Sequence, residues 1–526
     1  MGFGFPLVSK RRTRIWETRL DCNRFQESTS PCILLWNRLH RGQIDPIRMR
    51  NRYYPRSLIA LLSLTFVHAI FGDRPPNIVY ILADDLGWGD LSLYGQKHFQ
   101  TPNIDRIAKG GIQFTQHYSG STVCAPSRSS LMTGLHTGNT PIRGNYEIQP
   151  EGQMAMPAES VTIAEVLKGE GYATGAFGKW GLGFPGSEGD PTNQGFDVFF
   201  GYNCQRIAHN YYPYHLWSNR EKVDLEENEG SDEGVYAPDL IQEKALEFIE
   251  QNRDQPFFCF VPHVIPHAEL FAPERYMARF RGKLLPEKVY EGTDDGPNFR
   301  NGPYGSQPES HAAFAAMVTM LDDHVGQILD KLAALKIDKN TLVIFTSDNG
   351  AHKEGGADPE YFDSNGPFRG FKRDLYEGGI RVPMLAQWPG SIAPDTKSDH
   401  ISAFWDIFPT FCEVAGIPVP DGLDGISFAP TLLRSGSQRS HDYLFWGFYE
   451  RGGRVAVRKG QWKLVKYDVD KSPQGSWELY DLSNDIGESK NLASKRPDIV
   501  ESLARIAQES IMPSPVEKFR FKNEIN

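Results

Sequence analysis

Four short apolar runs, each closing on charged or amide side chains, restrict this chain to an α/β architecture. They are NIVYILADD (Asn77 to Asp85), YATGAFGKW (Tyr172 to Trp180), PFFCFVPH (Pro256 to His263) and TLVIFTSDN (Thr341 to Asn349). Each is the length of a buried strand, and helical periodicity lies between them. Phe314, Met317, Leu321, Val325, Ile328 and Leu332 step by threes and fours along one helix face. Strands alternating with helices predict an α/β sandwich around a mainly parallel sheet. The polar residues share a position in this pattern: Asp84, Asp85, Lys179, His267, Asp348 and Asn349 all follow a strand's C-terminal end closely. Open α/β sheets bind ligands in the crevice beyond those ends. One such residue could merely begin a loop; four groups sharing one sheet edge point to a site.

Charge separates the start of the chain from the rest. The net charge is −10. Residues 1–72 hold 12 Lys+Arg and 4 Asp+Glu, which leaves 44 basic and 62 acidic residues in the remainder. So acidic a body is no general nucleic-acid binder, whose footprint would be a basic stripe. An anionic substrate must be drawn in by local cations. MRNRYYPR (Met49 to Arg56) followed by the uncharged SLIALLSLTFVHAIF (Ser57 to Phe71) reads as a signal peptide over 49–72, too short to span a membrane. Residues 1–48 precede it without a clear period and are expected to be absent from the mature protein, with Met49 as the true start. The mature protein is then periplasmic or secreted, with no stable membrane span. Cys124, Cys204, Cys259 and Cys412 remain beyond that segment, too few and too widely spaced for a disulfide scaffold, and no C-x-x-C pair occurs. Near residue 436 the pattern changes. GRVAVRKGQWKLVKY and WELYDL alternate like antiparallel strands, with a turn around Lys471 to Gly475, and an amphipathic helix follows. The expected organisation is a catalytic domain over 73–436 and a C-terminal β+α subdomain over 437–526.

The most specific string is CAPSRSSLMTG, Cys124 to Gly134. Pro126 suits a helix's first turn, the serines after it can offer backbone N–H groups to an anion, and Arg128 lies one turn from Cys124. On these grounds alone the cysteine could be a reactive thiol or an inert core residue. The string, however, resembles the C-x-P-S-R-x-x-L-x-T-G signature of the type I, formylglycine-dependent sulfatases. PNIVYILADDLGWGDLSLYG, TPNIDRIAKGGIQFTQHY, GAFGKWGLG, FTSDNG and LYEGGIRVPMLAQWPG resemble further segments of that family, in family order across roughly residues 75–495.

The resemblance implies an alkaline-phosphatase-like α/β sandwich, with a small C-terminal antiparallel β+α subdomain, that hydrolyses sulfate esters, on sulfated carbohydrates above other substrates. It implies a maturation enzyme that oxidises Cys124 to formylglycine (3-oxoalanine). Asp84, Asp85, Asp348 and Asn349 match the ligands of one divalent cation, usually Ca²⁺, with position 124 as a further oxygen ligand. Arg128 and Lys179 match cations around the formylglycine and the sulfate. Lys372 matches a sulfate-binding lysine, and His267, chosen over His263, matches a histidine on the leaving-group side. One position departs: where the family commonly reads G-K-W-H-x-G, this chain has Gly181. The missing histidine's partner would be the hydroxyl at position 124, so His209 or Lys179 is expected to replace it as base. Trp217, Tyr211, Tyr212 and Tyr214 could stack on sugar rings or simply pack. Two further readings share the fold: a phosphonate or phosphate monoester hydrolase, and a degenerate carbohydrate-binding sulfatase homologue.

Overall fold

In the computed structural model, which describes residues 74–472 and 475–523, the four apolar runs are four neighbouring strands. The main sheet contains β1 (Asn77–Ala83), β2 (Gly111–Tyr118), β3 (Ala173–Lys179), β4 (Val198–Tyr202), β5 (His215–Ser218), β6 (Glu221–Asp224), β7 (Phe257–Pro262), β8 (Thr341–Ser347), β9 (Arg381–Gln387) and β10 (Thr396–Ser398). Their order is β10-β2-β9-β8-β1-β7-β3-β4-β5-β6, and the short β11 (Ser402–Ala403) adds to β2. The central five, β8-β1-β7-β3-β4, are all parallel, while β9 and β5 join them antiparallel. The predicted runs are β1, β3, β7 and β8, side by side, so their C-terminal ends open onto one crevice. The segments over 1–48 and 49–72, and the tip of the expected turn near residue 473, lie outside the described residues.

Helices cover both faces. They include α1 (Pro102–Lys109), α2 (Cys124–Thr133), α3 (Ile163–Gly169), α4 (Ala237–Gln251), α5 (Ser310–Ala334), α6 (Ile407–Ala415) and α7 (Pro497–Glu509). Because strand side chains alternate, β1 divides its residues between two cores. Val79 and Ile81 pack with Ile241 and Phe248 of α4 and with Met317, Leu321 and Val325 of α5. Ile78, Tyr80 and Leu82 pack with Leu131 of α2, Leu167 of α3 and Phe411 of α6. Removing each such aliphatic side chain from water stabilises the fold by about 1.5–3 kcal/mol. Burial on both faces explains why these runs are continuously apolar and not alternating.

A second sheet, β12 (Leu444–Phe448), β13 (Arg454–Lys459), β14 (Trp462–Tyr467) and β15 (Glu478–Asp481), is antiparallel throughout. The single run from Gly453 to Tyr467 is thus a hairpin. It turns at Gly460, whose φ of +57° glycine accepts without the Cβ clash of other residues. One face of this sheet packs Trp446 and Val465 against Tyr118, Val123 and Trp405. The other packs Phe445, Val457 and Leu464 under Leu503 and Ala507 of α7. No helix among the described residues is long and apolar enough to cross a membrane.

Candidate active site

The strand ends carry the acidic residues into the crevice. Asp84 and Asp85 follow β1, and Asp348 and Asn349 follow β8, with the Asp348 N–H donating to the Ala83 carbonyl at 3.0 Å. The Asp85 N–H donates to Asp348 Oδ1 at 3.1 Å, and Asn349 Nδ2 donates to Asp85 Oδ1 at 2.7 Å. Asp85 has φ +63°, an uncommon conformation for a residue with a side chain. All four side chains are fully buried. Burial, then the Asp84 carboxylate, pushes Asp348 up to about 7. Asn349 Oδ1 is buried without a hydrogen-bond partner. Three carboxylates and an unpartnered amide oxygen suit a hard oxygen-seeking cation, and Cys124 Sγ and a His267 ring nitrogen lie within 4.8 Å of the Asp84 and Asp85 oxygens.

Helix α2 begins at Cys124 directly against these residues. Cys124 Sγ lies 3.5 Å from Asp84 Oδ1 and 3.4 Å from Lys179 Nζ, and Lys179 Nζ donates to Asp84 Oδ2 at 2.7 Å. Ser127 Oγ pins the helix to the end of β8 by donating to the Asp348 carbonyl at 2.6 Å. Arg128, one turn on, donates from Nη2 and Nε to Asp348 Oδ2 at 2.8 and 3.2 Å and from Nη1 to the Lys179 carbonyl. Its charge is therefore fixed, not mobile. Burial pushes the Cys124 thiol far up, only partly offset by Lys179 and Lys372, so a plain thiol here stays protonated and a poor nucleophile.

Lys372 closes the opposite side. Its Nζ donates to Asp85 Oδ2 at 2.7 Å and lies 3.0 Å from His267 Nε2. His267 Nδ1 meets the Ala268 carbonyl, so Nδ1 carries the proton and Nε2 is left to accept from Lys372. Burial, then Lys372, holds His267 well below the usual imidazole range. Against the opposing effect of burial, Asp85 and Glu354, with other neighbouring groups, hold Lys372 well above its usual range, so it stays protonated.

His209 also reaches this crevice. Its ring stacks on His267 with centroids 4.9 Å apart, its Nδ1 meets the Gly302 carbonyl at 2.8 Å, and burial, then Lys179, lowers it to about 4. Glu269 ties together the segments beside the two rings: its carboxylate accepts from the backbone N–H groups of Tyr211 and Gly305, while its own N–H donates to the His209 carbonyl. Tyr211 and Tyr212 are core residues; the Tyr211 hydroxyl donates to the carbonyls of Val264 and His267. Trp217 donates to Glu151 at 2.8 Å, and none of the four aromatics of that loop lines the cavity. Cys204, Cys259 and Cys412 are buried and free.

The resulting cavity, about 540 Å³, is lined by Cys124, Lys179, His209, His267 and Lys372 and by residues that sequence reading missed. Glu354 pairs with Lys372 at 3.4 Å and with Arg373, and Tyr304 and Gln205 also line the wall. His352, behind His267, stacks on it at 5.6 Å. His352 and Glu354 follow Asn349 within five positions, a nearness to a strand end that could have marked them. Gln205 carries no such signal.

Residues 76–417 match the Sulfatase family and residues 366–510 the N-sulphoglucosamine sulphohydrolase C-terminal family. Arylsulfatase A of Homo sapiens is 33% identical over 505 residues, covering 86% of this chain and 90% of the relative. N-acetylgalactosamine-6-sulfatase of Rattus norvegicus is 33% identical over 466 residues, 83% of this chain and 79% of the relative. Among solved structures, Ps i-CgsB in complex with k-i-k-neocarrahexaose has a TM-score of 0.69 at 28% identity, covering 82% of this chain and 92% of that one. A match over most of the chain, on the alkaline-phosphatase-like fold these relatives share, makes this protein an enzyme: it belongs to the sulfatase family.

Proposed function

We propose that this sulfatase removes sulfate from sulfated carbohydrates, using a formylglycine at position 124 and one divalent cation, most simply Ca²⁺. The observation that carries the reading is Cys124 held between Asp84 and Lys179 on the wall of the cavity, with Arg128 paired to Asp84 behind it. The hydrate of the aldehyde would supply one hydroxyl to attack sulfur and a second whose deprotonation releases sulfate, a route closed to a simple thiol or serine. Asp84, Asp85, Asp348 and Asn349 would hold the cation, which would add the positive charge this site needs for an anion. That need is visible in the charges: Arg128, Lys179 and Lys372 are each paired with Asp84, Asp85 or Asp348, so the formal charges cancel.

The chain's own groups then divide the work. Arg128 and Lys179 are held rigidly by their carboxylates and face charge developing on the sulfuryl oxygens. The Lys372 ammonium, hydrogen-bonded to His267 Nε2, keeps a proton in the cavity that Cys124 shares, available to the departing alcohol. His209, with Nδ1 engaged by Gly302 and its ring neutral, is a proton acceptor in place of the histidine absent at 181. The carbohydrate reading draws support from the sugar-bound relative and from a cavity wall of amides and charged groups. We also propose an export signal over 49–72, a periplasmic or secreted mature protein, and a boundary near 436 between catalytic and C-terminal parts.

Hydrolysis of a panel of defined sulfated saccharides, run beside phosphate and phosphonate monoesters, tests the reading. Turnover is expected only with sulfate esters. Faster turnover of phosphonates, or two zinc ions per chain, would sink it, as would binding of saccharides without turnover.

A further inference from the structure

Gly181 follows Lys179 by two residues and has φ +77°, a conformation side chains rarely adopt. The space where its side chain would begin is already taken: a Cβ at 181 would lie 1.8 Å from Gln205 Nε2. Gln205 arrives there because the strand pairing continues past its regular end. The Trp180 and Gly181 N–H groups donate to the carbonyls of Tyr202 and Asn203, carrying β3 and the chain after β4 side by side into the crevice. The residue is only 8% exposed and lines the cavity that holds Cys124 and Lys179. Yet both atoms of its carboxamide, Nε2 and Oε1, lack a hydrogen-bond partner. A buried unpaired amide costs free energy, and such groups in native structures call for a partner. The cavity's cations all have carboxylate partners; this amide does not.

We propose that Gln205 binds the sulfate group at the reacting centre, Nε2–H donating to a sulfate oxygen and Oε1 accepting an O–H beside position 124. It is a neutral binding residue, and glycine at 181 is what leaves room for it. The proposal rests on the sulfatase reading for the identity of its ligand.

The test measures inorganic sulfate binding by calorimetry, and kcat and KM for a chromogenic sulfate ester, on preparations matched for metal and for aldehyde at 124. Gln205→Met keeps the volume and removes both polar atoms, so sulfate affinity and kcat/KM should each fall about tenfold, the size of one or two hydrogen bonds. Gln205→Glu is isosteric but anionic and should fall further in sulfate affinity, which calorimetry on folded protein reads apart from any loss of stability. Gly181→Ala leaves Gln205 chemically intact but displaces its amide, so it should resemble Gln205→Met, and it remains informative if that variant folds poorly. Wild-type sulfate affinity and kcat/KM in Gln205→Met and Gly181→Ala overturn the proposal while leaving sulfate hydrolysis standing. Conversely, sulfate binding that depends on Gln205 in an enzyme inert toward every sulfate ester supports the site and refutes the hydrolase reading.

Discussion

Arg128 and Cys124 sit one helical turn apart, and their environments set opposite demands. The guanidinium is buried with Asp348 and Asp84, so replacing it by alanine leaves two carboxylates without their fixed counter-charge. Arg128→Ala should cost about 3–5 kcal/mol of stability as well as activity, read from denaturant unfolding and ester turnover. Arg128→Lys should recover stability better than activity, because an ammonium cannot span Asp348 and the Lys179 carbonyl together. At Cys124 the buried thiol is chemically quiet, so peptide mass spectrometry of active enzyme should find the aldehyde or its hydrate there, and Cys124→Ala should abolish turnover while leaving the fold intact. Fully active protein carrying only a free thiol would reject that nucleophile. His209→Ala is examined under single-turnover conditions: alcohol released in a burst without matching sulfate supports its role, and wild-type rates for both products refute it. Asp84, Asp85, Lys179, Asp348 and Asn349 were legible because each sits at or directly after the C-terminal end of an apolar strand. Gln205 was not, because its contact with Gly181 joins two loops and leaves no spacing to read.

At the scale of elements, β1 and β8 are locked in register over seven residue pairs, and this brings three aspartates together at one end. Packing of both sheet faces supplies the free energy that tolerates such crowding, and a bound cation would relieve it. A ligand that binds only the folded state raises its stability in proportion to the logarithm of its concentration. Chelation should therefore lower the melting temperature of the wild type, and added Ca²⁺ should restore it. Asp348→Ala should show little response to either, with less than one divalent ion per chain by elemental analysis. An unchanged wild-type melting temperature after verified metal removal would contradict this. The central strands were readable because burial on both faces makes their sequences continuously apolar. Others were harder: β9 carries Pro383, which lacks the N–H a central strand normally donates, and β12 is a five-residue stretch whose partners follow it.

Across the whole molecule, the second sheet is joined to the first by a buried ionic group as well as by Trp446 and Val465. Lys463 of β14 donates to Glu377 Oε1, before β9, and lies 2.9 Å from Glu488 Oε1, after β15; all three are fully buried. The Tyr118 hydroxyl and Arg381 also engage Glu377, at 2.6 and 3.1 Å. Against the opposing effect of burial, Lys463 and Arg381 lower Glu377 from 4.5 to about 2. Burial, then the neighbouring Glu377 charge, raises Glu488 from 4.5 to about 7. The two carboxyls therefore act on stability in opposite pH windows. Glu377's contribution is present above 4.5 and is lost as pH falls from there toward 2. Glu488 binds its proton more tightly folded than unfolded, so its contribution is present below 4.5 and is lost as pH rises from there through 7. Glu488→Gln keeps the shape and an N–H or carbonyl in place but cannot ionise, so the fall in unfolding free energy between pH 4.5 and 7 should flatten relative to wild type. Lys463→Met leaves both carboxyls without their shared cation and should destabilise the protein by about 3–5 kcal/mol, most of all near neutral pH. Denaturant titrations from pH 4 to 8 check both, and parallel curves for wild type and Glu488→Gln would show that the proton on Glu488 does not govern how the two sheets hold together.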